Sequence, residues 1–435
     1  MSEAISIFWF RRDLRVEDNA ALYHALREGK PVLPFFLFDR NILDELPADD
    51  RRVNFIYRAI ERLYIHFTKA GVPFKVVYGY PEEAFRQLMQ QHKIVSVYTN
   101  HDYERYAIDR DEKIRALLEE NQISFYTYKD QVIFEKEEIL KPDGQPYSVF
   151  TPYSKRWKSL LNEFYLKSYP TQNYFNNFHT GKAEKLIGLN EMGFVKTDTP
   201  FPSTEPDEGL LRDYHRDRDF PGLGGTSRLG IHLRFGTISI RTLTRSVRSI
   251  NEIFLNELIW REFYQMIIWN FPHVNEGKCF RLEFEAIKWR NNQTEFERWC
   301  NGETGYPLVD AGMRELNETG FMHNRVRMVT ASFLSKHLLI DWRWGEAYFA
   351  SKLLDFEFAS NNGGWQWAAG CGCDAAPYFR IFNPTLQAKK FDPEFKYIRR
   401  WVPEFEDFGY PKPIVQHELA RERCLDAYRV ALSSR

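Results

Sequence analysis

Glu257, Trp260 and Arg261 stand at i, i+3 and i+4 in the stretch NELIWREFY, so on a helix they share one face. A carboxylate, an indole and a guanidinium are costly to bury together without partners. In isolation that spacing fits a surface ion pair beside a core tryptophan. As the wall of a pocket it offers a stacking surface, an acid and an anion clamp. His323-Asn324-Arg325-Val326-Arg327-Met328 repeats the pattern, with Asn324, Arg327 and Met328 on one face. Taken alone it fits a capped helix with solvated arginines. In Ser360-Asn361-Asn362-Gly363-Gly364-Trp365-Gln366-Trp367, two Asn and two Gly in succession predict a turn. Glycines there permit close backbone approach to a ligand, and two indoles flank a glutamine. From Arg380 to Arg400, six basic residues stand against two acidic ones, interleaved with Phe382, Phe391, Phe395 and Tyr397. Most charge runs are only a solvated face. Basic groups alternating with aromatics also suit a groove that follows a nucleic-acid backbone and stacks its bases.

The elements that must position these residues are legible from periodicity. The first third alternates strands over 5–10, 32–38, 74–78, 95–98 and 125–128 with helices over 51–70, 81–91 and 105–120. Such alternation predicts a doubly wound parallel sheet, which binds ligands at the carboxyl ends of its strands. No GxGxxG occurs, nor GxxxxGK followed by Ser or Thr, so neither a dinucleotide fingerprint nor a P-loop is supported. Residues 136–205 read as a connector rich in Pro, Asn and Thr. Helical patterns then dominate, at 240–248, 253–271, 293–301, 308–315, 323–339 and 344–354. The expected organisation is an α/β domain over 1–135, a connector over 136–205 and an all-α domain over 206–435.

Aromatic content is high, with 11 Trp, 23 Tyr and 36 Phe in 435 residues. That serves either a large core or stacking and electron transfer. A net charge of -1 excludes a global polycation, so nucleic-acid binding needs a local basic patch. Five Cys, an odd number, imply no disulfide framework. Cys371 and Cys373 form CxC without a second pair or a suitably spaced His, so no metal site is expected. The start MSEAISIFWFRRDLR shows no long apolar region or cleavage site. No apolar run approaches the ~20 residues that span a bilayer. A cytoplasmic protein with reduced thiols is expected.

Six segments together are more specific than any one of them. FWFRRDLRVEDN, GGTSRLGIHLRFG, NELIWREFY, GYPLVDAGMRELNETGFMHNRVRM, DWRWGE and NNGGWQWAAGCGCDAAPYFRIFNP resemble the signatures of the photolyase/cryptochrome family. The likeness is greatest to class I cyclobutane pyrimidine dimer photolyases and runs from Phe8 to about Pro403. It implies an α/β antenna domain and an all-α FAD-binding domain. FAD contacts then map to Tyr214, Thr226, Ser227, Arg228, Leu229, Phe254, Glu257, Arg261, Asn324, Arg327, Asp355, Glu357 and Asn361. Thr226 and Ser227 follow Gly224-Gly225 and precede a helix, where hydroxyls and free N–H groups suit a pyrophosphate. Gly230-Ile231 replaces the Ser-Pro of many members, and Phe254 and Phe321 replace Trp.

The resemblance also implies roles. Asn361 faces the flavin N5, where a neutral amide favours the fully reduced anionic flavin; plant cryptochromes carry Asp there. Arg327 and Asp355 form a salt bridge beside the ring. Glu257 bonds a pyrimidine carbonyl and stabilises its radical anion. Photolyases for the (6-4) product use two His facing the lesion. Asn324 and Met328 occupy those positions here, and neither donates a proton as imidazolium does. Trp260 and Trp367 sandwich a flipped-out dimer, and Arg325, Arg380 and Gln387 contact DNA. Trp365, Trp342 and Trp289 resemble the photoreduction chain.

The implied function is light-driven repair of cyclobutane pyrimidine dimers by electron transfer from excited reduced FAD. The implied partner is damaged DNA, with no membrane and no obligate protein partner, and the protein acts as a monomer. The alternative is a cryptochrome-type blue-light photoreceptor without repair activity, although the stretch after Pro403 is short for a signalling tail. A DASH-type enzyme for single strands and a nucleotide-binding α/β protein without light chemistry are further rivals. Members with a folate antenna carry Glu where Ala107 stands. Folate, deazaflavin, flavin mononucleotide or no antenna therefore stay open.

Overall fold

A computed structural model describes residues 3–433. Five strands, β1 (Ala4–Phe10), β2 (Val32–Asp39), β3 (Lys75–Gly79), β4 (Lys93–Asn100) and β5 (Ser124–Tyr128), pair in parallel in the order β3-β2-β1-β4-β5. Helices cover both faces, so the central strands read as nearly continuous apolar runs. Phe8, Phe10, Phe36 and Phe38 fill one face. Ile7, Trp9, Phe35 and Leu37 fill the other, as the two-residue period of a strand requires. Strand order reverses between β1 and β4, the point where sheets of this kind open a crevice. β4 runs longer at both ends than its apolar centre predicts, because its terminal residues are polar and still pair.

The chain forms two compact units that do not follow chain order. The first comprises the chain up to Glu135 together with Leu160–Glu205 and Leu229–Arg248. The second comprises Lys136–Ser159, Pro206–Arg228 and the chain from Ser249. The segment expected as connector is thus divided, and 229–248 packs with the sheet. Buried charge accounts for that placement. Arg241 is 4% exposed, with Nε 3.0 Å from Asp18 and Nη2 2.7 Å from Asp130. Arg15 reaches the other oxygen of Asp130 at 2.7 Å, and Ser239 donates to Asp18 at 2.6 Å. Gly236, at φ +63, lies against the backbone of Arg12 and Asp13, where a Cβ has no room.

The second unit is helical. Its core gathers Trp299, Met313, Phe333, Trp342, Trp365 and Tyr428. The turn expected over 360–367 is instead the interior of helix Phe358–Ala369. Gly363 is required there because an added Cβ would overlap the ring of Tyr264. The close approach is between two helices rather than between backbone and ligand. The single helix expected over 323–339 is Asn324–Ser332 followed by one π-helical turn, Phe333–His337. All five cysteines are buried and free. Among the described residues, no helix is long and apolar enough to cross a membrane.

Two consequences are measurable. Burial alone would raise the Asp130 pKa, but Arg15 and Arg241 outweigh it and hold the carboxyl below its ordinary value. Its contribution is present above the unfolded value of about 3.9 and is lost as pH falls through the lowered folded value. Arg241→Met is expected to destabilise the fold by about 3–5 kcal/mol at neutral pH. The deficit in denaturant midpoint should shrink as acid protonates the stranded carboxylates. Gly363→Ala should lower the thermal midpoint by forcing Tyr264 aside, at a cost of about 1–3 kcal/mol.

Candidate functional site

Helix Glu252–Asn270 begins where the Asn251 side chain accepts from the N–H groups of Ile253 and Phe254. One stripe of it carries Phe254, Glu257, Arg261 and Gln265, three or four residues apart. This helix packs against Phe358–Ala369. Between them, Arg261 Nη2 lies 2.8 Å from Glu357 Oε1. Gln265 donates to the same oxygen at 3.0 Å, and Ser360 donates to Oε2 at 3.1 Å. The two charged side chains are only 10% and 6% exposed. A buried pair of this kind is tolerable because its oxygens are also hydrogen-bonded.

The segment 355–361 collects two further contacts. Arg327 Nη2 meets both oxygens of Asp355, at 2.9 and 3.1 Å, and its Nε donates to the Met322 carbonyl at 2.7 Å. Asn361 Nδ2 donates to the carbonyl and the carboxylate of Glu346, at 3.1 and 3.2 Å. Burial raises the Glu346 carboxyl, while the Asn361 bond opposes the shift. With its NH2 group engaged, the amide offers Oδ1 to a ligand.

At the other end of the stripe, Phe254 meets Tyr214 edge-on, with centroids 5.0 Å apart. Arg218 lies over the Tyr214 ring at 5.3 Å and pairs with Glu257. Burial raises the Glu257 pKa and Arg218 opposes it. The next residue, Asp219, receives Arg325 Nη2 at 2.7 Å. Arg325 lies over the Phe391 ring at 4.2 Å, with Nη1 3.8 Å from Met328 Sδ. Arg228 covers the Phe321 ring at 4.2 Å, and Arg327 approaches the same ring at 5.8 Å.

The indoles separate by exposure. Trp365 and Trp342 are 2% and 0% exposed, and each buries an indole N–H with no acceptor among the described residues. Trp365 rests on Gly345, one helical turn from Trp342. Trp289 is partly exposed and meets Tyr428 edge-on at 6.2 Å. Trp260 stacks on Phe150 with centroids 3.7 Å apart and planes 4° from parallel. Trp367 is partly buried and tilted against Phe382 at 6.3 Å. Asn324 and Arg380 are exposed, Thr226 is partly so, and Gln387 buries an unpartnered carbonyl oxygen. Leu229 belongs to the first unit, and the helix after it begins only at Gly230 without a side-chain cap. Ser227 is partly buried.

Gln265, Arg218, Glu346 and Phe150 join the site without having been singled out in the sequence. Gln265 extends the stripe by four residues from Arg261, and Arg218 follows Tyr214 by four, so spacing held both signals. Glu346 lies inside DWRWGE. Phe150 carries no local signal, because its partner is far along the chain.

Residues 254–409 match the family described as the FAD binding domain of DNA photolyase, and residues 6–172 match DNA photolyase. The deoxyribodipyrimidine photo-lyase of Vibrio cholerae is 36% identical, over 98% of this chain and 99% of its own. A class III photolyase from Agrobacterium tumefaciens superposes with a TM-score of 0.86 at 34% identity, covering 99% and 98% of the two chains. An archaeal photolyase from Sulfolobus tokodaii, solved with two FAD molecules, gives 0.83 at 35% identity over 98% and 99%. The donor set here fits FAD. Guanidinium, carboxylate and amide groups converge on 355–361, and the side-chain oxygens of Asn256 and Gln265 are buried without partners, ready to accept. By sequence over both matched regions and by fold over nearly the whole length, the chain belongs to the DNA photolyase family.

Proposed function

We propose that this chain repairs cyclobutane pyrimidine dimers in DNA, using light and a bound FAD. The observation that carries the proposal is the convergence on 355–361 of the Arg327–Asp355 pair, the Arg261–Glu357 pair and the oriented Asn361 amide. Bound FAD supplies a light-excited electron that opens the dimer. Tyr214, Thr226, Ser227, Arg228, Phe254, Glu257, Arg261, Asn324, Arg327, Asp355, Glu357 and Asn361 would hold it. The protein's part is binding, orientation and electrostatics.

Burial shifts Glu257 toward its protonated form, which can donate to a pyrimidine carbonyl where negative charge collects. Arg218 keeps that carboxyl in place. Asn324 and Met328 provide no imidazolium, so the site lacks an acid suited to a (6-4) product. A cyclobutane ring opens without one. Trp260 keeps one face on Phe150 and turns the other to an everted base, opposite Trp367. Arg325, Arg380 and Gln387 meet the DNA. To bind phosphate, Arg325 must exchange Asp219 for it.

Trp365 and Trp342 relay an electron inward from Trp289. Among the described residues neither buried N–H has an acceptor, which favours an oxidised ring that keeps its proton and passes the vacancy outward. The crevice at the carboxyl ends of β1 and β4 in the first unit is the candidate seat of a second chromophore. Absorption after release by denaturation distinguishes folate, deazaflavin, flavin mononucleotide and no second chromophore. The protein is read as a cytoplasmic monomer, which light scattering checks for the oligomeric part.

An oligonucleotide carrying one cyclobutane dimer, mixed with the FAD-loaded protein, should lose that dimer under blue or near-UV light and keep it in the dark. Intact dimers despite bound, reduced FAD would instead favour a photoreceptor. Trp342→Phe should slow light-driven reduction of the cofactor while chemically reduced protein repairs at the native rate. Equal rates of photoreduction in the two proteins would remove Trp342 from the relay.

A further inference from the structure

Lys336 lies in the π-helical turn Phe333–His337 and is 1% exposed. Such turns occur mostly as single insertions and often at functional sites. Every residue from Ala331 to Ile340 is buried, so Lys336 and His337 have no solvent-facing side to turn to. Lys336 forms no ion pair among the described residues. The thiols of Cys371 and Cys424 are near it, and both are neutral because burial pushes thiol pKa values up. Its ammonium donates to the Arg380 carbonyl at 3.0 Å. Desolvation lowers the lysine to about 8. A buried cation with one neutral acceptor is unfavourable where a methionine would fill the same volume. Something other than packing therefore accounts for the charge.

Arg380 belongs to the loop between Gly370, at φ +86, and helix Pro384–Phe391. Other contacts hold that loop earlier in its course, among them the bond from the Phe150 N–H to Asp374 at 3.0 Å. The Arg281 N–H donates to the Cys371 carbonyl at 3.0 Å, and Tyr378 stacks on Tyr428 with centroids 5.6 Å apart. Within the loop the Arg380 N–H donates to the Pro377 carbonyl at 2.8 Å, and Lys336 holds the carbonyl of the same residue from outside the loop. Phe382 follows two residues later and meets Trp367.

We infer that Lys336 is a positioning residue for DNA binding, whose buried ammonium holds the Arg380 carbonyl so that the Arg380 guanidinium projects toward the phosphate backbone. It rests on the reading of Arg380 as a DNA contact, and the test separates the two. Dark binding of the FAD-loaded protein to a dimer-containing oligonucleotide is followed by fluorescence anisotropy over a salt series. Arg380→Ala should weaken binding and lower the log–log salt slope by about 1. Lys336→Met and Lys336→Leu should weaken binding by a similar factor, raising KM while kcat under saturating DNA and light stays native. Lys336→Gln, which keeps a neutral donor, should recover most of the affinity. In the Arg380→Ala background neither apolar substitution should cost more, because the two residues act as one unit. Two apolar variants are used so that the cycle survives if one fails to load FAD. Equal losses with and without Arg380, or native affinity in the apolar variants, would overturn the role of Lys336 alone. Native affinity and salt slope in Arg380→Ala would overturn the DNA contact and the positioning role together.

Discussion

A carboxylate cannot stay bare in a helical core, and the site is organised around how one is satisfied. Glu357 takes a guanidinium from Arg261, an amide from Gln265 and a hydroxyl from Ser360. Those donors come from two packed helices, so satisfying the charge also fixes the angle and register at which they meet. Asn361 follows one turn later, its backbone N–H on the Glu357 carbonyl at 2.9 Å. Its orientation is therefore inherited from the ion pair. Asp355, two residues before, sets Arg327 by the same means. The first unit repeats the device with Asp18, Asp130, Arg15 and Arg241, where it joins a late segment to the sheet.

The aromatic residues divide the work differently. Trp365 and Trp342 sit in apolar surroundings with N–H groups that find no acceptor among the described residues, while the neighbouring Trp299 donates to the Thr330 carbonyl at 3.2 Å. The half-exposed ring of Trp260 is held by Phe150, Phe263 and Tyr264, and that of Trp367 meets Phe382. Near Arg325 and Glu257 the charges are paired within the chain by Asp219 and Arg218. Those pairs are more exposed than the one at Glu357, so exchanging them for a ligand costs less.

Much of this was legible in the amino-acid sequence. Alternating apolar runs located the five strands, and the stripe through Glu257 and Arg261 lay on one helical face as its spacing requires. The family likeness named Arg327 and Asp355, which pair in the structure. Local patterns misled where tertiary packing decided the outcome. Asn361-Asn362-Gly363-Gly364 has the composition of a turn, yet the ring of Tyr264 needs Gly363 inside a helix. Ile240–Val247 form the helix their periodicity predicts, yet 229–248 belong to the first unit, because the partners of Arg241, Asp18 and Asp130, lie more than a hundred residues earlier. The π-helical turn at Phe333–His337 likewise has no periodic signature, since one inserted residue shifts the phase without changing composition.

Phe150 under Trp260 has a thermodynamic consequence. The indole is already immobilised in the free protein, so the entropy of ordering it is not charged when a planar guest arrives. Its open face then behaves as a preorganised platform whose tilt is set by a residue that never touches the guest. Because Phe150 comes from the segment preceding Ser159, far earlier in the chain than the helix it supports, the setting of that platform depends on a distant stretch of sequence docking against it.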